Sequence, residues 1–239
     1  MIILANKELP GFGAIGFRGK LRPSQVAAVS VIEPQLEIQG KHLHIVAPPG
    51  SGKTVLGLYV WADLVRKPTL VLSPNSAIQA QWAARTDLFD LDGKDEFVTT
   101  DPKSPGLLTS LTYQSITMPK RGGEELNEAA IELWTESLIS NGEAIDEASA
   151  LAWQDDLKIR NNDYYEDRLS TYRKKVRDEF SKHGNALWTL SESAKNNLQR
   201  LKEVGIGLII LDECHHLLHH WGRVLTEVRE YFDNPIVLG

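Results

Sequence analysis

Two short stretches of this chain carry residue types suited to phosphate chemistry. Ala47-Pro48-Pro49-Gly50-Ser51-Gly52-Lys53-Thr54 combines glycines with a lysine and a hydroxyl. Far downstream, Asp212-Glu213-Cys214-His215 combines two carboxylates with a histidine. Several backbone N–H groups can converge on phosphate oxygens only where no side chain blocks them, and Gly50 and Gly52 leave that approach open. A helix beginning near Gly52 adds unpaired N–H groups and the positive end of its dipole. Lys53 then reaches the outer phosphates of a nucleoside triphosphate, and the Thr54 hydroxyl becomes a magnesium ligand. The plainer alternative is a glycine-rich strand-to-helix turn with a chance lysine. An apolar run ahead of the loop and a helical pattern behind it weigh against that.

The second stretch directly follows the apolar run Gly207-Leu208-Ile209-Ile210-Leu211. Parallel sheets gather ligand-binding groups at the carboxyl ends of their strands, which is where Asp212 falls. Its carboxylate suits Mg2+, held directly or through water, and Glu213 can orient an attacking water and take its proton. Alone, such a pair also fits a solvated strand end; the lysine loop gives it weight. His215/His219 and His216/His220 have the spacing of a helical metal pair, with Cys214 beside them. Zinc is the weaker reading, because Cys214 is the single cysteine and Asp212-Glu213 already account for the placement. His215 reads better as a residue coupling this site to a neighbouring domain, and His216, His219 and His220 as local cover or partners of Trp221.

Positioning both stretches requires buried strands alternating with helices. The glycine-rich residues 9–19 read as a loop, and Pro23 suits the first turn of a helix that Pro34 kinks or ends. His42–Ala47 reads as a strand and about 52–65 as a helix; Thr69–Ser73 and about 76–88 repeat that pair. Phe97–Thr99, Leu107–Thr112, Gly207–Leu211 and Pro235–Leu238 supply further strands. Strands apolar almost throughout, alternating with helices, predict an α/β fold with a mostly parallel sheet covered on both faces. Between Gly122 and Glu203 the period is helical, with helices ending at Asn141-Gly142 and covering Ala144–Ile159, Tyr164–Phe180 and Leu187–Val204. Leu126, Ala130, Leu133, Trp134 and Leu138 mark one face that packs on its neighbours or receives a protein partner. Roughly eighty residues of helix exceed an ordinary crossover, so 119–203 reads as a helical insertion in a core formed by about 18–118 and 204–239.

In this order the motifs resemble the first RecA-like domain of a superfamily 2 DEAD/DEAH-box (DExH) helicase or translocase. Residues 47–54 match its Walker A loop in the form that admits alanine first, and Asp212-Glu213-Cys214-His215 is a variant of its Walker B box. Leu21-Arg22-Pro23-Ser24-Gln25 resembles the segment that recognises adenine, which implies Gln25 as reader with Arg22 beside it. Ser73-Pro74-Asn75 and Thr112-Tyr113-Gln114-Ser115 resemble strand-contacting segments, the latter as in XPB-like repair helicases and restriction-enzyme motor subunits. The resemblance implies ATP and Mg2+ as cofactors. Arg22, Gln25, Pro49, Gly50, Ser51, Gly52, Lys53 and Thr54 would hold the nucleotide, Thr54 and Asp212 the metal, and Lys53, Asp212 and Glu213 would act in hydrolysis. Asn75, Thr112 and Tyr113 would meet DNA, with RNA an open alternative as the track; Tyr113 equally suits the edge of the core. The chain ends at Gly239, before the family's Ser/Thr-Ala-Thr segment and its second RecA-like domain with the arginine finger. Weak nucleotide binding, very low ATPase activity and no unwinding are therefore expected of this stretch alone. The leading expectation is the ATP-binding domain of a DNA helicase or translocase. The rivals are a restriction or defence motor that moves on duplex DNA, and a non-catalytic module that binds nucleic acid or protein.

Composition sets outer limits. At 239 residues one core suffices, below the usual ceiling of about 250–300. A lone cysteine excludes an internal disulfide framework and fits a reducing, cytoplasmic setting. No apolar run approaches the roughly 20 residues that span a bilayer, so no membrane partner is expected. The formal net charge of −6 disfavours a generic nucleic-acid coat protein. Acidic residues crowd the stretch from Glu124 to Glu147, however, so the sum misreports other faces.

Overall fold

The computed structural model describes residues 9–37, 42–46, 48, 50–214 and 219–239. Its strands are β1 (Gly16–Phe17), β2 (His42–Leu43), β3 (Thr69–Ser73), β4 (Phe89–Asp90), β5 (Val98–Thr99), β6 (Leu108–Thr112), β7 (Leu208–Leu211) and β8 (Ile236–Leu238). Six of them form one sheet in the order β2-β8-β7-β3-β6-β5, with every neighbouring pair parallel. β1 and β4 pair separately as an antiparallel ribbon. β3 is buried along its whole length and sits between β7 and β6, which explains the apolar Leu70-Val71-Leu72 at its centre.

Alternation along the strands sends side chains to two cores. Val71, Leu208 and Ile210 face a layer containing Ile32, Leu58, Trp61 and Trp82. That layer comes from α1 (Pro23–Glu37), from α2 (Lys53–Tyr59) with its π-helical continuation Val60–Val65, and from α3 (Ser76–Ala84). Leu70, Leu72 and Ile209 face the opposite layer, with Ile116, Leu198, Leu201, Val224 and Val228. Those residues lie on α4 (Gln114–Thr117), α8 (Glu192–Val204) and α9 (His219–Tyr231). The two covered faces are those of a RecA-like P-loop fold. Among the described residues no helix is long and apolar enough to cross a membrane.

The remaining helices, α5 (Glu124–Ser140), α6 (Glu147–Arg160) and α7 (Asn162–Lys182), share a third core. Leu126, Ala130, Trp134 and Leu138 face inward from α5, and Trp134 stacks on Tyr172 at 5.6 Å between ring centres. Asp146 and Ser149 cap α6 reciprocally, and the Asn161 side chain caps α7. The residues expected to form one insertion, 119–203, therefore divide. α5–α7 have their own core, whereas α8 packs on the sheet. A short antiparallel bridge between Pro119 and Leu190 ties the two ends of the bundle together.

Several local expectations shift. Pro34 lies inside α1 and does not end it; so near the C-terminus, one absent N–H disturbs only the last turn. β2 spans two residues, although the Ile45 N–H still reaches the Gly239 carbonyl at 2.7 Å. The helix opened by Lys53 runs to Val65 but loosens to π geometry, closed by Arg66 at φ 51°. The helix expected from Leu187 is a 3₁₀ turn, Leu187–Thr189, and α8 begins only after the Ser191 cap.

Candidate nucleotide site

Glycine conformation shapes the loop between β2 and α2. Gly50 and Gly52 take φ of 76° and 87°, values that a side chain strongly disfavours. A Cβ on Gly52 would also come within 2.6 Å of Gln25 Nε2. The start of α1 holds this loop by its carbonyls. Gln25 Nε2 donates to the Gly52 carbonyl at 3.0 Å, and Arg22 Nη1 donates to that of Gly50 at 2.9 Å. The Arg22 N–H donates to Gln25 Oε1 at 2.8 Å, so both ends of this buried amide are engaged within the protein. Because a trans peptide sets N–H opposite C=O, pinning the Gly52 carbonyl turns the Lys53 N–H away from α1. The Ser51 hydroxyl is buried without a protein partner. The expectations on Ala47, Pro49 and His215 lie outside the described residues.

Lys53 opens α2, with Thr54 beside it in the first turn. Lys53 Nζ lies 3.6 Å from Glu213 Oε1, so the two chemistry-bearing stretches meet. They line a cavity of about 90 Å³ with Trp82, Asp212 and Cys214. Glu213 adopts a φ of 52°, a left-handed backbone that costs a non-glycine residue about 1–3 kcal/mol. Asp212 is anchored three ways. Its N–H donates to the Leu72 carbonyl, its carbonyl accepts the Tyr113 hydroxyl, both at 2.9 Å, and its Oδ2 accepts the Trp82 indole N–H at 2.6 Å.

A nucleotide with magnesium fits these residues. The orphaned Ser51 hydroxyl and the side-chain-free approach at Gly50, where a Cβ would meet nothing within 4 Å, are what a phosphate cradle needs. Among the described residues no group of three or more His, Cys, Asp or Glu gathers to hold a metal. Donors such as Thr54 and Asp212 suit a Mg2+ ion held jointly with phosphate oxygens and water, not an all-protein cage.

The strand-contacting candidates separate. Asn75 is exposed after β3, and its Oδ1 accepts the Ile78 N–H at 3.0 Å, capping α3. Thr112, in register with Ser73 on the neighbouring strand, shares a hydrogen bond of 3.0 Å with Ser115. Tyr113 takes the other place open to it. It is 1% exposed, its ring stacks on Trp221 at 5.6 Å, and its hydroxyl is bonded to Asp212. Burial, then the neighbouring Cys214, Asp212 and Glu213, push that hydroxyl far above the usual phenol range. Tyr113 fills the core edge. Trp82 is the residue that sequence reasoning missed. The available signal was chemical: a buried indole needs an acceptor.

A parallel sheet covered on both faces, a glycine loop opening a helix, and a carboxylate pair ending a central strand are features of a RecA-like P-loop domain, and the family match places that domain in the superfamily 2 helicase and ATPase class. The chain belongs to the family of the type III restriction enzyme res subunit, whose model matches residues 18–239. No curated protein matches it.

Proposed function

We propose that this domain binds ATP with Mg2+ and couples its hydrolysis to movement along DNA, as the motor of a restriction or defence system. The observation that carries the reading is the 3.6 Å approach of Lys53 to Glu213 in a cavity that Asp212 also lines. When bound, the magnesium ion would neutralise and orient the triphosphate. Gly50 to Thr54 would cradle the phosphates with backbone N–H groups, and Lys53 would leave Glu213 for the outer phosphates. Thr54 and Asp212 would hold the metal, and Glu213 would orient the attacking water. Arg22 and Gln25 would fix the loop and edge the adenine site. Asn75 and Thr112 would face the DNA backbone, and a second RecA-like domain would supply the arginine finger. Membership of a restriction-enzyme family supports the restriction or defence setting.

The test is nucleotide binding and DNA-stimulated turnover in the full-length protein. Lys53→Ala should abolish binding of a fluorescent ATP analogue. Glu213→Gln should keep binding and lose turnover. Equal loss of binding in both would refute the separate roles. Displacement of a triplex-forming strand without separation of the duplex would distinguish translocation from unwinding, and stimulation by RNA alone would replace the track.

A further inference from the structure

The Asp212 carboxylate is aimed by a residue that belongs to neither the loop nor the carboxylate pair. Hydrogen bonds to Leu72 and Tyr113 fix the Asp212 backbone but leave its side chain free to rotate. The Trp82 indole removes that freedom through the 2.6 Å bond from Nε1 to Oδ2. An indole N–H only donates, and unlike a lysine it brings no charge to compete with a cation for the carboxylate. The ring has little room to move. Trp82 is 2% exposed, and a Cβ on Gly57 would lie 2.7 Å from its Cη2 and 3.0 Å from its Cζ3. The helix that opens with Lys53 therefore braces the ring that aims Asp212.

We infer that Trp82 is a positioning residue for the metal: by occupying Oδ2 it presents Oδ1 of Asp212 to the Mg2+ ion that accompanies the nucleotide. This rests on the proposal that the site takes ATP with Mg2+. Removing a group that steers a ligating carboxylate typically weakens metal affinity or activity about 10–100-fold. α3 carries Trp82 and begins at the Asn75 cap, so one helix links the metal ligand to the segment expected to face DNA.

The experiment is a Mg2+ titration of fluorescent ATP analogue binding by the full-length protein. It compares wild type with Trp82→Phe and with a tryptophan isostere at position 82 in which sulfur replaces the indole N–H. The isostere keeps the ring's volume, so it answers the question even where Trp82→Phe unfolds. The expected result is that half-maximal Mg2+-dependent binding needs about tenfold more Mg2+, with nucleotide affinity in EDTA unchanged. An unaltered Mg2+ requirement in the isostere overturns the positioning role while leaving the ATP site standing. Wild-type protein whose nucleotide binding ignores Mg2+ overturns the reading of the site, and this inference with it.

Discussion

Gly57→Ala tests whether the Trp82 ring is wedged. Gly57 lies in the interior of α2, where alanine ordinarily gains about 1 kcal/mol over glycine. Here the added Cβ meets Trp82 Cη2 at 2.7 Å, Cζ3 at 3.0 Å and Ile210 Cδ1 at 3.5 Å. Overpacking of this kind costs about 1–3 kcal/mol, so the balance before any other effect is a loss of about 0–2 kcal/mol. If the ring moves, its bond to the Asp212 carboxylate also weakens, and hydrogen bonds to charged groups are worth about 1.5–3 kcal/mol. A net loss of about 1–3 kcal/mol is expected, read from urea denaturation at matched slope. The decisive comparison is the double variant. In a Trp82→Phe background the shorter ring relieves the clash, so Gly57→Ala should change sign and stabilise by about 1 kcal/mol. Stabilisation by Gly57→Ala in the wild-type background would show that the ring yields freely, which would refute the brace.

Trp134→Ala should cost about 3–5 kcal/mol, because it empties the centre of the α5–α7 core. Since that core is separate from the sheet's, hydrogen exchange should accelerate across α5–α7 and leave β3 and β7 protected; uniform loss would show one cooperative unit. Asp63→Asn should raise the denaturation midpoint at pH 7. Burial pushes the Asp63 carboxyl upward against the opposing Phe17 N–H and the Arg66 charge, so the folded chain binds its proton more tightly than the unfolded one. Stability is then lost as pH rises from the unfolded aspartate's pKa through the raised folded one. The gain from asparagine should fade as pH falls through that window and vanish below it, and a gain independent of pH would contradict this account.

The sheet was legible because its central strands are buried on both sides, and burial writes itself as apolar runs such as Leu70-Val71-Leu72 and Leu208-Ile209-Ile210-Leu211. The fate of each helix was less legible. α8 shows an apolar face through Ala194, Leu198 and Leu201, but helical spacing states only that a face is buried, not against which core. The same limit applies to Pro34, where the sequence marks a missing N–H but not how little the last turn depends on it. In the site, Lys53, Asp212 and Glu213 stood out because phosphate chemistry prescribes residue types within each short motif, and the fold brings Lys53 within 3.6 Å of Glu213. Trp82 did not stand out, since its acceptor is 130 residues away and no spacing rule links an indole to a carboxylate.

Tyr113 shows why the strand-contacting segments were only half readable. An aromatic residue after a strand suits either a base-stacking platform or the edge of a core, and its composition alone does not choose. The structure chooses through the hydroxyl, which a buried tyrosine must satisfy, and the nearest solution is the Asp212 carbonyl. Thr112 then stays at the strand end while its neighbour turns inward. The same happens beyond Asn75, where the cap stays outside and Trp82, on the helix it starts, reaches the Asp212 carboxylate. Each segment expected to face DNA therefore sends one aromatic side chain to the backbone or carboxylate of a single aspartate. The surface residues could change without disturbing that arrangement, but the two aromatic donors could not.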